Sequence, residues 1–195
     1  MKNGNQLPLE RCPHCNIAKP HLSYQWGAQS ANHEGRVQRT WAVYLCSTCG
    51  GMTLTCAPAG QNQEISEVWP NPMTVSDALP ERAREFLVQA IGSLHAPSGA
   101  VMLTASAVDA MLKDKGFKTG SLNSRIDEAA KTHLITSEMA ILAHEIRLDA
   151  NDQRHADETV TLPSVEDASK VIEFANALGQ FLYVLPMRVE RGRQA

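Results

Sequence analysis

The segment WPNPMTVSDALP, residues 69–80, marks the point at which the pattern of the chain changes. It contains three prolines in twelve residues, and proline restricts φ and removes a backbone donor, so the segment predicts a connector. Before it, short runs rich in aromatic and β-branched residues alternate with turn residues. After it, apolar residues recur at helical spacing. The sequence therefore predicts an α+β protein, with a small β domain over residues 1–70 and an all-α domain over residues 71–195.

Four strands are predicted in the first domain and five helices in the second. The strand segments are HLSYQW (21–26), RVQRTWAVYL (36–45), MTLTC (52–56) and EISEVW (64–69). The predicted helices cover residues 77–95, 98–115, 121–133, 136–155 and 164–188. The last residues, RVERGRQA, have the composition of a frayed basic tail.

Helix-capping residues mark several of these boundaries. Ser76 or Asp77 is the expected N-cap of the first helix, with Pro80 in its first turn. Ser98 is the expected cap of the second helix. The third and fifth helices are expected to begin after Ser121 and after Ser164, the latter with Asp167 in an imperfect capping box.

The composition and charge of the chain exclude several classes of protein. The 195 residues carry a formal net charge of -3, so the chain as a whole has no pull toward nucleic acid. The N-terminal residues MKNGNQLPLE contain no apolar signal region, and no apolar run approaches the length of a membrane span. We therefore expect a cytoplasmic protein without a membrane partner.

The cysteines predict a metal site. Four of the five form the pairs CPHC (12–15) and CSTC (46–49), and intracellular chains rarely form disulfides. Four thiolates satisfy Zn²⁺ tetrahedrally and leave no open position, so the predicted site is structural. Its ligands are Cys12, Cys15, Cys46 and Cys49. Cys56 is expected to be a buried small hydrophobe, and no ligand role is expected for His14, His21 or His33.

A zinc ribbon of this kind often binds nucleic acid or another protein. Lys19, His21, Arg36 and Arg39 would give it a modest basic face. Charges in a ribbon of this kind more often serve solvation than binding, so solvation is the favoured explanation of this face.

The stretch HEIRLDANDQRHAD, residues 144–157, is crowded with polar groups. At about 100° per residue, we expect Leu142, Ile146 and Ala150 to face the core. The opposite side would then carry a polar stripe, which consists of His144, Arg147, Asn151 and His155. Ion pairs on a solvated face would account for this stripe. Arg, Asn and His are, however, also the residues that suit oriented hydrogen bonding and acid–base chemistry.

The order of these features resembles a known family. A CxxC ribbon precedes WPNPMTVSDALPERAREFLVQAI, and a helical region follows with SLNSRIDEAA and then AHEIRLDANDQRHAD. The chain is similar over nearly its whole length to the domain of unknown function 4145 family. That family is grouped with the HEPN superfamily, the helical modules named for higher eukaryotes and prokaryotes nucleotide binding.

The resemblance implies a HEPN-like bundle of four to five helices that forms a homodimer. It also implies RNA or DNA as a bound polymer and a restriction or phage-defence protein as a partner. Many HEPN proteins are metal-independent ribonucleases with an Arg and a His at the dimer interface. By motif match, Arg147 is the motif arginine, Asn151 the polar residue and His155 the histidine, with His144 assisting.

Two functional hypotheses follow. The first is a metal-independent ribonuclease that uses the polar stripe. The second is a non-catalytic module that binds nucleic acid or protein, in which the stripe is a dimer interface. The second is favoured by the seven residues between Arg147 and His155 and by the lack of an arginine in LTASAVDAML (103–112). Nucleotide binding is not favoured, since the sequence has no Gly-rich phosphate loop.

Overall fold

The computed structural model describes residues 1–60, 64–155 and 161–194, and for Leu148, residues 152–155 and Gln194 it describes the backbone alone. The chain separates into two compact units, Met1–Met73 and Thr74–Ala195, here called the sheet unit and the helical unit. The strands lie in the first and the helices in the second. The predicted α+β class is therefore confirmed.

The sheet unit contains a four-stranded antiparallel sheet whose strand order follows the chain. Its strands are β1 (Leu22–Ala31), β2 (Gln38–Cys46), β3 (Met52–Pro58) and β4 (Glu67–Trp69). β1 starts within HLSYQW (21–26) but continues for five residues beyond it. β2, β3 and β4 lie largely or wholly within predicted segments, because alternating β-branched and aromatic residues suit a pleated surface with one buried face. The buried residues of that face and of the preceding segment are Leu7, Cys12, Leu22, Ala42, Tyr44 and Cys46.

Over residues 74–155 and 161–194, the helical unit contains five helical segments. They are α1 (Glu81–Gly92), α2 (Pro97–Asp114), α3 (Leu122–Lys131), α4 (Ser137–His155), and a last segment in which α5 (Val165–Gly179) continues through a π-helical turn (Gln180–Val184) into α6 (Leu185–Gln194). The bundle of four to five helices is thus confirmed. Residues 188–194 continue the last helix, so the predicted frayed tail is wrong. Among the helices that the structure describes, none combines the length and the apolar character that a membrane span requires.

Helix α2 lies at the centre of the bundle, where it packs against α1, α4 and α5. Its apolar residues Val108 and Met111 are fully buried, and its alanines Ala100 and Ala107 allow neighbouring helices to approach closely. Tyr183, in the π-helical turn, also packs into this core, and its hydroxyl donates to the Met111 carbonyl oxygen of α2 at 3.0 Å. The core of the helical unit therefore forms around α2.

The predicted starts of the first two helices are wrong. Helix α1 begins at Glu81, because Pro80 adopts the extended N-cap conformation (φ -54, ψ 140) and ends the preceding turn. Neither Ser76 nor Asp77 therefore caps it. Helix α2 begins at Pro97, not after Ser98, because proline suits the first helical position, where its missing N–H costs nothing.

The predicted caps of the third and fifth helices are confirmed. The Ser121 hydroxyl accepts a hydrogen bond from the Ser124 backbone N–H at 3.3 Å. Ser164 and Asp167 form a complete capping box at the start of α5. These caps succeed as predictions because each depends on only four consecutive residues.

The predicted core face of α4 needs one correction. Ile146 and Ala150 are buried, but Leu142 is 45% exposed and Ala143 takes its place in the core. Steps of four residues advance by about 40° beyond a full turn, so Leu142 has rotated about 80° away from Ala150. Ala143 is only about 20° away from Ala150 by the same geometry.

Candidate functional site

The four cysteines of the two CxxC pairs converge in the sheet unit. The Sγ atoms of Cys12, Cys15, Cys46 and Cys49, here called the cysteine cluster, all lie within 4.8 Å of one another. The Cys12 and Cys49 Sγ atoms are 3.9 Å apart. Four sulfurs bound to one zinc ion at about 2.3 Å would stand about 3.8 Å apart. The donor atoms and their spacing therefore fit a tetrahedrally bound metal ion.

Two similar turns bring the cysteines together. In the second turn, the Gly50 N–H donates to the Cys46 carbonyl oxygen at 2.9 Å, and Gly50 has a φ of 73°. In the first, the Asn16 N–H donates to the Cys12 carbonyl oxygen at 3.0 Å, and Asn16 has a φ of 57°. Glycine and asparagine are the residues that tolerate this left-handed conformation best. Each turn can therefore close tightly behind its cysteine pair.

Backbone N–H groups point at the sulfurs from both turns. The His14 N–H donates to Cys12 Sγ and the Gly51 N–H to Cys49 Sγ, each at 3.4 Å. Such hydrogen bonds favour the charged thiolate over the thiol. They suit a cluster that carries several negative charges around one cation.

The pKa values of Cys12, Cys15 and Cys46 are shifted, and not all in the same direction. Burial raises the pKa of Cys12, and burial together with the nearby Cys49 thiol raises that of Cys15 to about 12. Burial acts in the same direction on Cys46, but the backbone N–H groups of Cys49 and Thr48, together with hydrogen bonds to the Cys12 and Cys49 side chains, outweigh it and lower the Cys46 pKa to about 7. A metal ion must therefore displace protons from the raised thiols in order to bind.

The neighbouring side chains stay outside the cluster. Cys56 is 2% exposed and lies on β3, as predicted for a buried small hydrophobe. The His14 ring Nε2 lies 2.8 Å from the Met52 carbonyl oxygen, so that contact accounts for its position beside the cluster. The side chains of the predicted basic face are exposed, and its role stays a prediction.

In the helical unit, the polar stripe flanks the packed side of α4 and does not lie opposite it. His144 and Arg147 each follow a buried residue by one position, about 100° around the helix, and both are half-buried. His144 Nε2 lies 3.0 Å from Asp127 Oδ1 on α3. Asp127 Oδ2 in turn accepts a hydrogen bond from Asn123 Nδ2 at 3.3 Å. Part of the stripe is thus joined to α3 by a polar network.

Arg147 and Asn151 line a recess of about 230 Å³ between α4 and the start of α3, here called the α3–α4 recess. Ser121 and Asn123 line its other side. The Arg147 Nε atom is buried and has no hydrogen-bond partner among the residues that the structure describes. The recess therefore combines a cation and two amide side chains with the positive end of a helix.

Arg125 fixes the α3 side of this recess. Its guanidinium donates to Asp109 Oδ1 on α2 and to the Gly120 carbonyl oxygen, both at 2.6 Å. Gly120 has a φ of 78° and immediately precedes the N-cap Ser121. Arg125 thus ties the turn that begins α3 to the central helix of the bundle.

Of the four predicted site residues, the structure places Arg147 and Asn151 together in the recess and His144 beside it. His155 is the last residue of α4, and its side chain lies outside the described residues. Sequence reasoning missed Asp127 and Asn123. Their spacing of four residues within a predicted helix was the available signal, since it places both on one helix face.

The fold and its sites define a protein that joins a four-cysteine sheet, able to bind a metal ion, to a helical domain with a polar recess. The chain belongs to the family described as Domain of unknown function (DUF4145), whose model matches residues 88–195, more than half of the chain. No curated protein and no solved structure matches the chain significantly.

Proposed function

We propose that the helical unit is a HEPN-like domain that binds and cleaves RNA without a metal ion, and that the cysteine cluster is a structural zinc site. The observation that carries the proposal is the α3–α4 recess, where Arg147 and Asn151 face the N-terminus of α3. A guanidinium and a helix N-terminus are both favourable for the oxygens of a phosphodiester. Restriction or phage defence is the setting that the family resemblance suggests.

Each residue of the stripe has a role in this chemistry. The ribose 2′-oxygen attacks the adjacent phosphorus and the bond to the 5′-oxygen breaks, which gives a 2′,3′-cyclic phosphate and a 5′-hydroxyl. Arg147 stabilises the negative charge on the phosphorus oxygens in the transition state, and Asn151 orients the substrate. His155 takes the proton from the 2′-hydroxyl or delivers one to the 5′-oxygen, with the assistance of His144. Two protomers supply two stripes to one cleft.

The zinc ion has no part in this reaction. The four cysteines would hold it in the sheet unit and complete its coordination, so that it would stabilise the fold and bind no substrate water. The chain therefore needs only protein side chains for RNA cleavage.

The test is cleavage of a single-stranded RNA in the presence of a chelator, with the zinc content measured afterwards. We expect His155→Ala and Arg147→Gln each to lower the cleavage rate about 100-fold or more. The control variants are His95→Ala and Arg84→Gln, which replace another histidine and another arginine outside the recess. His95 is exposed and follows α1, and Arg84 is partly exposed and lies on α1, so both variants should retain the wild-type rate. No cleavage by the wild type, or equal rates for all five proteins, would refute the nuclease proposal.

An assembly module is the second candidate, and a specific observation favours it. Ile141 and Leu142 on α4 are 59% and 45% exposed and lie three and two residues before His144, the first residue of the stripe. An apolar pair beside polar groups is typical of an interface between protein chains. On this hypothesis, Leu142→Ser and Arg147→Gln lower the mass measured by light scattering without changing any cleavage rate. A monomeric wild type would exclude it as a dimer interface.

A further inference from the structure

A second cavity lies in the sheet unit, away from the cysteine cluster. It has a volume of about 370 Å³ and is here called the β1–β2 cavity, since β1, β2 and the N-terminal residues Asn3–Asn5 form its walls. Its size falls within the range of about 300–1,000 Å³ that is usual for small-ligand sites. Neither the family match nor the proposed nuclease assigns it a role.

A β-bulge shapes this cavity. Tyr24 pairs with Tyr44 and Trp26 pairs with Val43, so that Gln25 is the extra residue between them. Paired residues of antiparallel strands share a face, and Tyr24 and Trp26 therefore point to opposite faces of the sheet. Tyr24 lines the cavity and is 46% exposed, so part of its side chain is accessible to a ligand, while its ring meets that of Tyr44 edge-on at 6.0 Å.

Gly27 keeps the cavity open beside this ring. A Cβ atom at Gly27 would lie 3.0 Å from the Tyr24 hydroxyl and 2.5 Å from the Trp41 carbonyl oxygen. Any larger residue at this position would therefore displace the Tyr24 ring or the neighbouring strand. Ala42 adds only a methyl group to the lining on the adjacent strand.

Two polar atoms of residues in the cavity lining lack a hydrogen-bond partner within the described part of the chain. Asn3 Oδ1 accepts hydrogen bonds from the Thr55 hydroxyl at 2.7 Å and from the Tyr44 hydroxyl at 3.2 Å, which fixes the orientation of its amide. The Asn3 Nδ2 atom and the Thr40 Oγ1 atom are buried, and neither has a partner among the residues that the structure describes. Buried polar atoms nearly always have one. Both unpaired atoms belong to residues that line the same cavity, but neither atom is exposed to it in this structure, so a ligand can bond with them only after the two side chains turn toward it.

The lining also limits the chemistry of an occupant. None of the described residues that form it is charged, so the cavity offers no cation to pair with a phosphate or a carboxylate. It offers an aromatic ring, an amide donor, a hydroxyl and the further amides of Asn5 and Gln29. A neutral planar ring with donors and acceptors on its edge matches all of these groups. Single-stranded RNA presents such rings, stacked on aromatic side chains and hydrogen-bonded along their edges.

We propose that the β1–β2 cavity binds one nucleobase of a single-stranded RNA, stacked on Tyr24 and hydrogen-bonded by Asn3 and Thr40. This site lies in the sheet unit and does not depend on the proposed cleavage by the helical unit.

The test uses the full chain with its metal bound and a short fluorescent 2′-O-methyl oligouridine or oligoadenosine. This probe cannot be cleaved through its 2′-oxygen, so fluorescence anisotropy reports binding alone. Tyr24→Leu should weaken binding about tenfold, because it removes the stacking surface. Thr40→Val should weaken binding roughly fivefold, as expected for one lost hydrogen bond.

Trp26→Leu is the matched control, since Trp26 is an exposed aromatic residue on the same strand but on the opposite face. It should retain the wild-type affinity. An abasic oligonucleotide with the same phosphates should bind at least tenfold more weakly than the probe. The proposal is overturned if the wild type does not bind, if Tyr24→Leu and Trp26→Leu have equal affinities, or if the abasic chain binds as tightly as the probe. Far-ultraviolet ellipticity and metal content establish that each variant is folded.

Discussion

Asp109 on α2 provides a sharp test of how the helical unit is held together, because it pairs with two cations in different environments. Arg125 Nη1 lies 2.6 Å from Asp109 Oδ1, and the Arg125 side chain is 10% exposed. Lys113 Nζ lies 2.5 Å from Asp109 Oδ2, and the Lys113 side chain is 47% exposed. Removal of one partner from a buried ion pair costs about 3–5 kcal/mol. An exposed pair contributes about 0–1 kcal/mol.

We expect Arg125→Met to lower the free energy of unfolding of the helical unit by about 3 kcal/mol, the lower end of that range. The Gly120 carbonyl oxygen also loses its donor, but Asp109 keeps Lys113 as a partner. The Arg125 Nε atom is itself buried without a hydrogen-bond partner in the described part of the chain, so its removal offsets part of the loss. Lys113→Met should cost less than about 1 kcal/mol, because its pair is exposed.

Urea denaturation followed by far-ultraviolet ellipticity measures both variants. Trp26, Trp41 and Trp69 all lie in the sheet unit, so tryptophan fluorescence gives an internal control that neither substitution should change. The double variant Arg125→Met, Asp109→Leu should lose less than the sum of the two single variants, because the two residues contact each other. Equal losses for Arg125→Met and Lys113→Met would refute the reasoning.

Three further predictions follow from single contacts. Cys15→Ser should abolish stoichiometric metal binding measured by elemental analysis, whereas Cys56→Ser should retain it, because Cys56 lies outside the cluster. Thr53→Val should raise the free energy of unfolding by about 1 kcal/mol in fluorescence-detected denaturation, since the Thr53 hydroxyl is buried without a partner among the described residues. Tyr183→Phe should lower stability by about 1–3 kcal/mol at neutral pH, because the Tyr183 hydroxyl shares its single hydrogen between Asp114 Oδ2 and the Met111 carbonyl oxygen, each at 3.0 Å. Burial and the hydrogen bond to Asp114 raise the pKa of Tyr183, so its contribution is present below the unfolded pKa of about 10 and is lost as the pH rises through the folded pKa. Wild type and Tyr183→Phe should therefore converge in stability only in strongly alkaline solution.

Local patterns in the sequence predicted much of the fold. The two CxxC pairs define the cysteine cluster, because each pair supplies two ligands within four residues. The caps at Ser121 and Ser164 depend on a similarly short range. The error at Leu142 has a different origin, since the angular drift of the helix accumulates over two turns.

The candidate site could be predicted only in part, because it depends on contacts between elements. Asp127 meets His144 across seventeen positions of the chain, and Arg125 meets Asp109 across sixteen. Spacing along one helix indicated that Arg147 and Asn151 share a side. That spacing could not indicate that the start of α3 lies against the same side of α4. The recess exists only because these two parts of the chain meet.

A comparison of Thr40→Val with Thr53→Val tests whether an unpaired buried hydroxyl belongs to a binding site or only to an imperfectly packed part of the sheet. Both have a buried hydroxyl oxygen without a partner in the described parts of the chain, and both lie on strands of the same sheet. Thr40 lines the β1–β2 cavity, whereas Thr53 is not among the residues that line it. Replacement by valine removes an unsatisfied polar atom in either case, so neither variant should lose stability. If the cavity binds a base, only Thr40→Val also loses affinity for RNA. A loss of affinity in both variants would indicate a general change in the sheet and would remove the specific role of Thr40.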